Sequence, residues 1–162
     1  MNIRRTLLSA FIIAILAIPI DLTLRAEEPE PDPLMENALE LHRSAIVIDT
    51  HTDTPLLMRG RGLDICAENE TGRVDIPRME KGGLDAIFLA VFVSNEFDTL
   101  HPSRLALETI DVIHNQVAAC PGKAELAVSS GDIRRIHETG KRAILIGMEN
   151  GGPVEESLAL LR

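Results

Sequence analysis

His51 and Asp53 stand two residues apart in Asp49-Thr50-His51-Thr52-Asp53-Thr54-Pro55, directly after the apolar run Ala45-Ile46-Val47-Ile48. Side chains alternate across a strand, so residues i and i+2 at its end point the same way. The pattern predicts an imidazole and a carboxylate converging just past the strand's last hydrogen bonds. Neutral imidazole with carboxylate is a ligand pair for zinc and neighbouring divalent metals. A bare H-x-D is more often a solvated polar loop; the buried-strand pattern before it favours the metal reading. Asp49 lies on the same strand face as His51, one pleat deeper. It suits a carboxylate that orients the imidazole, and a structural role fits it equally well.

A second acidic position follows the apolar run Ala143 to Met148, where Glu149 precedes Asn150-Gly151-Gly152-Pro153. A carboxylate can bridge two metal ions, whereas imidazole normally binds one. Two ions about 3.5–4 Å apart share a hydroxide and polarise a carbonyl together. Glu149 is the bridging candidate, and His51 and Asp53 complete the protein ligands of one ion. The bland alternative for Glu149 is a carboxylate at a helix N-terminus. The paired glycines let backbone pass close to an ion or substrate.

These groups need a scaffold that gathers strand ends. Asp32-Pro33 reads as a helix start with Leu34, Ala38 and Leu41 on one face. Ala45–Asp49 reads as a strand buried on both faces, and residues 55–73 as a loop. Asp75 caps a short helix that stops at Gly82-Gly83. Residues 85–93 (DAIFLAVFV) form a second strand, and Pro102 opens a long helix carrying Leu107, Ile110, Ile113 and Val117. Residues 124–128 suit a short extended segment, Ser129 or Ser130 caps a helix ending at Gly140, and residues 143–148 form a third strong strand. Pro153 opens a helix still running at Arg162. Alternating strands and helices predict an α/β fold with a parallel sheet and right-handed crossovers. On this pattern a closed barrel and an open doubly wound sheet both fit. Barrel strands carry chemistry at their carboxyl ends, where His51, Asp53 and Glu149 all fall.

Composition narrows the classes. Aromatic residues make up only 2% of the 162 residues and the net charge is −9, which argues against nucleic acid as a partner. Arg4 and Arg5 before the apolar stretch from Leu7 to Ile20 predict a signal peptide over residues 1–26, or an uncleaved anchor with membrane attachment. Residues 27–33 (EEPEPDP) form a charged tether. Either way the body, residues 34–162, is expected to be exported: periplasmic, extracellular or membrane-anchored. Cys66 and Cys120 do not make a disulfide scaffold, and free thiols are favoured over a bridge. Helical His42, His114 and His137 are expected to be solvated or satisfied. His101, before Pro102, suits the start of a helix. Gly60 and Gly62 lie in a loop that either borders a cleft or simply permits turns.

Taken together, the stretch around His51, Val74-Asp75-Ile76-Pro77-Arg78-Met79-Glu80-Lys81-Gly82-Gly83 and Ile146-Gly147-Met148-Glu149-Asn150-Gly151 resembles the membrane (renal) dipeptidase family of zinc metallopeptidases. The likeness, in order and spacing, runs from about Leu41 to Pro153. It implies a TIM-type (β/α)8 barrel and a binuclear centre with two zinc ions, hydrolysing dipeptides, in some members also β-lactams. By the same resemblance His51 and Asp53 bind one zinc and Glu149 bridges both. Two further zinc-binding histidines, a histidine near the substrate carbonyl, an acid/base aspartate and a carboxylate-binding arginine would lie beyond Arg162. Catalytic acid/base residues are therefore not assigned here. A barrel needs eight strands and about 250 residues, so about three βα units predict the front part of a larger protein. The rivals are another binuclear barrel hydrolase, of phosphoesterase or amidohydrolase type, and an inactive truncated chain.

Overall fold

Four strands, all parallel, form one sheet in the order β1-β2-β4-β3 in the computed structural model, which describes residues 32–93 and 101–162. They are β1 (Ile48–Thr52), β2 (Ala86–Phe92), β3 (Ala124–Leu126) and β4 (Arg142–Glu149). The expected signal or anchor over residues 1–26 and most of the tether lie outside the described residues. The chain traces α1 (Pro33–Ser44), α2 (Thr54–Arg61), α3 (Ile76–Gly82), α4 (Pro102–Ala119), α5 (Ser130–Glu138) and α6 (Leu158–Leu161) around these strands. This is parallel α/β architecture of the barrel type, with four strands among the described residues. The three long strands keep the sequential order of a barrel, and the short β3 is added outside β4 at its start.

The apolar run of β2 is explained by cover on both faces. Ile87, Leu89, Val91 and Val93 join Ile65 and Ile76 and, from α4, Ile113 in the main core. On the opposite face Ala86 packs with Ala143 and Leu145 of β4 and with Ile133 and Ile136 of α5. β2 and β4 run in unbroken register from Ala86↔Ala143 to Phe92↔Glu149. That register sets the height of Glu149 at the carboxyl rim.

At β1 the structure corrects the sequence reading. The strand runs three residues later than expected and is largely exposed, Ile48 at 42%. It pairs with β2 alone among the described strands, so it is an edge. The earlier residues are held differently: the Asp85 carboxylate accepts from the Val47 amide (2.9 Å), and the Val47 carbonyl accepts from the amides of Asp85 and Ala86. The same Asp85 carboxylate receives the Arg142 guanidinium at 2.8 Å and lies 3.1 Å from His137 Nδ1. One buried aspartate thus fastens β1, β2, β4 and α5 at the end of the sheet opposite Glu149.

Capping followed the predicted chemistry at α3 and α5. Asp75 accepts from the Arg78 amide and Ser129 from the Asp132 amide. Gly83, at φ +69°, closes α3 in the left-handed region, and a Cβ there would meet His42 Nε2 at 2.9 Å. His42 itself bonds the Gly82 carbonyl, which docks α1 on the end of α3. At α1 Asp32 likewise caps the helix as read, accepting from the Leu34 amide, although no residue of α1 is buried. Other expectations fail. The segment read as a loop from Pro55 contains α2. In α4, Ile113 and Val117 are buried and Ile110 packs on the core as read, but Leu107 is exposed and Ala106 and Thr109 are buried in its stead. Cys66 and Cys120 are bridged, contrary to the free-thiol reading. Folding brings the start of the α2–α3 connection onto the end of α4, a proximity that cysteine spacing cannot reveal. The single helix expected from Pro153 breaks into a 3-10 turn, Gly152–Val154, and α6, with Glu155 and Glu156 between them at positive φ. There the Glu155 carboxylate accepts from the Ser103 amide at the start of α4, and that hydrogen bond, with help from the Ser103 hydroxyl and His101, holds its pKa below the usual carboxylate value.

Candidate metal centre

A bulge places His51. Asp49 pairs with Ile87 and Thr52 with Leu89, so β1 spends one residue more than β2 over this span. Bulges bend a strand and re-aim its side chains, and they recur beside functional sites. The strict i, i+2 alternation expected from sequence therefore does not operate here. Asp53 reaches the same point by another route: it occupies the N-cap position of α2, with Thr54 and Pro55 buried behind it, and its carboxylate caps no amide. The Asp53-Thr54-Pro55 order, with Pro just inside a helix start, carried that signal.

Three side chains meet. His51, Asp53 and Glu149 each offer one ligand atom within 4.8 Å of the others. His51 Nε2 lies 3.6 Å from Asp53 Oδ1 and 3.2 Å from Glu149 Oε2. Glu149 Oε2 is buried yet accepts no aligned hydrogen bond. A buried oxygen without a donor is costly, and here oxygen and imidazole nitrogen face a common point without the alignment of a hydrogen bond between them. A cation at that point would satisfy both. The donor set of one imidazole and two carboxylates is one that zinc accepts, so these residues fit a divalent ion. Among the described residues no other trio of His, Cys, Asp or Glu comes this close.

Asp49 supports His51 through the main chain. Its Oδ1 accepts the His51 amide at 2.9 Å, not the ring. Asn150, in the left-handed region at φ 68°, ties the end of β4 to the end of β2 by donating from Nδ2 to the Val93 carbonyl, and its Oδ1 accepts from the Gly152 amide. A Cβ on Gly151 would meet open space, so no close approach explains that glycine. The remaining histidines stand apart from the trio. His42 and His137 have the partners given above, His114 lies within α4, and His101 directly precedes α4.

His51 and Asp53 of the trio line a cleft of about 720 Å³ bordered also by Leu56, Leu57, Gly72 and Arg73. Sequence reading missed Gly72 and Arg73 as cleft residues. Gly62 instead ends α2 in the left-handed region, φ 67°. The wall that carries Arg73 is an ordered coil. Ile65 and Ile76 are fully buried, and the Ile76 amide donates to the Ile65 carbonyl. Gln116 of α4 accepts from the Ile65 amide and donates to the Leu63 carbonyl, beside the Cys66–Cys120 bridge. Buried Asp75 accepts from the backbone and side chain of both Asn69 and Arg78, and Arg78 also donates to the Gly72 carbonyl. Burial pushes the Asp75 pKa up, but the Arg78 guanidinium and the amides of Asn69 and Arg78 outweigh it and hold the group below its ordinary value.

Fold and trio together define a parallel α/β protein of the barrel type with a ligand cluster at its strand ends. The chain belongs to the membrane dipeptidase family, peptidase family M19, whose model matches residues 35–162. It is 36% identical over 137 residues to Dipeptidase 3 of Mus musculus, covering 81% of this chain and 27% of that one. It is 31% identical over 144 residues to Dipeptidase ataJ of Aspergillus terreus, covering 81% and 35%. The crystal structure of the probable dipeptidase PvdM from Pseudomonas aeruginosa superposes with a TM-score of 0.64 at 25% identity, over 79% of this chain and 34% of that one. The chain thus spans between a quarter and two fifths of the length of the curated relatives it matches.

Proposed function

We infer that the whole protein is a zinc-dependent dipeptidase whose binuclear centre is held in part by His51, Asp53 and Glu149. The observation that carries this reading is the meeting of these three groups, with an orphaned buried carboxylate oxygen on Glu149, in a chain of the membrane dipeptidase family. When bound, the metal pair would lower the pKa of a water and polarise the peptide carbonyl. The chain's own residues do the rest that can be assigned. His51, its amide fixed by Asp49, offers the Nε2 lone pair; Asp53 offers a carboxylate free of capping duty; Glu149 would be the carboxylate shared by the two ions. Leu56 and Leu57 give the cleft an apolar side for a small peptide. The acid/base group is not among the residues assigned here.

Dipeptide is the proposed substrate. Export follows from the charged and apolar residues ahead of Pro33, and no described helix is long and apolar enough to cross a membrane. The 162-residue chain expressed by itself is proposed to be inactive. The test is metal analysis and hydrolysis of L,L- and L,D-dipeptides by the whole protein, before and after chelation. Two zinc ions per protein, with activity lost on chelation and restored by zinc, is the expected result. Metal-free protein with full activity, or phosphoester cleavage in place of peptide cleavage, would sink the reading.

A further inference from the structure

Arg73 is an exposed cation at the cleft that holds His51 and Asp53, and no group described so far uses it. Its backbone is unusually well fixed for a coil. The residue before it has its carbonyl held by Arg78 at 2.9 Å, and a Cβ on that Gly72 would meet Leu63 at 2.9 Å and Leu57 at 3.2 Å. Two residues after it stands the fully buried Asp75, tied to Asn69 and Arg78. Further back the coil is clipped to α4 by Gln116 and by the Cys66–Cys120 bridge. Arg78 is spent on this bracing. Arg73 is not: among the described residues its guanidinium enters no ion pair, and it borders the cleft beside Leu56 and Leu57. Ordered coil that positions one charged side chain at a cleft is a common form of binding loop.

We propose that Arg73 is a specificity-determining residue that receives the side-chain carboxylate of an acidic residue in the substrate, so that the enzyme favours dipeptides containing Glu or Asp over their amide counterparts. The inference rests on the dipeptidase reading and deepens it. In a chain of net charge −9 an acidic substrate needs a local cation to offset repulsion. The wall supplies apolar surface for an aliphatic stem and a planar guanidinium for a carboxylate, which it can hold by two parallel hydrogen bonds. An uncharged amide isostere cannot form that pair.

The test compares Ala-Glu with Ala-Gln, and Glu-Ala with Gln-Ala, on the metal-loaded whole protein and on its Arg73→Gln and Arg73→Glu variants. The native protein is expected to favour one acidic dipeptide over its amide by about tenfold in kcat/KM, as a charge-assisted contact allows. Arg73→Gln should bring that ratio to about one, with the loss falling on the Glu-containing dipeptides; Arg73→Glu should move the preference to Ala-Lys or Lys-Ala. Calorimetric titration of the metal-free protein with the same dipeptides gives a second readout, in which the Glu/Gln difference should survive and vanish in Arg73→Gln. A native ratio of one, or an unchanged ratio in Arg73→Gln, overturns the proposal. Equal losses on all dipeptides also overturn it, because Arg73 would then meet the peptide's terminal carboxylate. If no dipeptide is hydrolysed at all, the dipeptidase reading fails, and the metal-free titration still decides the role of Arg73.

Discussion

The Glu149 carboxylate is the residue on which the candidate centre turns, because its buried oxygen has no other partner. Replacing Glu149 with Gln keeps shape and removes charge, so metal occupancy should fall by at least about a hundredfold in affinity, a larger loss than supporting residues typically give. Titration of the metal-free variant with zinc would show it, and native-like affinity would remove Glu149 from the site. Asp49→Asn should differ little, since an Asn oxygen can still accept the His51 amide, whereas Asp49→Ala should weaken zinc binding by roughly tenfold. The identities of His51, Asp53 and Glu149 were legible in the sequence because each sits where a strand pattern stops. Their geometry was not. The bulge adds a residue that no periodicity reveals, and Arg73 lies in a coil whose bracing depends on partners as remote as Gln116.

At the scale of elements, the coil between α2 and α3 is stabilised by Asp75 and by the disulfide, and each gives a prediction. The depressed pKa of Asp75 means that its folded-state interactions contribute stability above its ordinary value of 3.8 and lose it as pH falls below that value. Asp75→Asn should therefore be less stable at neutral pH, by roughly 3–5 kcal/mol for a broken buried ion pair, and its acid-unfolding curve should be flatter below pH 4. Native-like denaturant midpoints at both pH values would contradict this. The bridge between Cys66 and Cys120 closes a separation of 54 residues, worth about 4 kcal/mol by loop entropy. Reduction should lower the melting temperature of the folded body, and an unchanged melt would show that Gln116 and Asp75 suffice. Elements with flanking punctuation were readable: Asp75 and Gly83 bound α3, and Ser129 starts α5. Helix α2 was missed because Gly60, Gly62 and charge dominated its composition. The bridge was missed because contact between α4 and the coil is tertiary.

For the molecule as a whole, a parallel α/β class was readable from continuous apolar strands separated by helical periods, and the barrel only through the family resemblance; β1's exposure was not readable, since burial is set by neighbours and not by composition. Residues 32–162 expressed alone present Leu34, Met35 and Leu41 on α1 and Leu158, Leu160 and Leu161 on α6, all more than half exposed. Such a body should self-associate through these apolar faces, and sedimentation showing only monomer at tens of micromolar would refute that. The form of association matters, because β1, one of the two marginal strands of the described sheet, carries the bulge. Deleting Thr50 alone would restore one-for-one pairing opposite Phe88 and give β1 a straighter ladder. The same indel would turn His51 away from Glu149 and leave a regular strand rim that other chains can copy, a template for fibrils. The irregularity that aims an imidazole thus also guards solubility, so a screen that rewards smoother secondary structure would select against both.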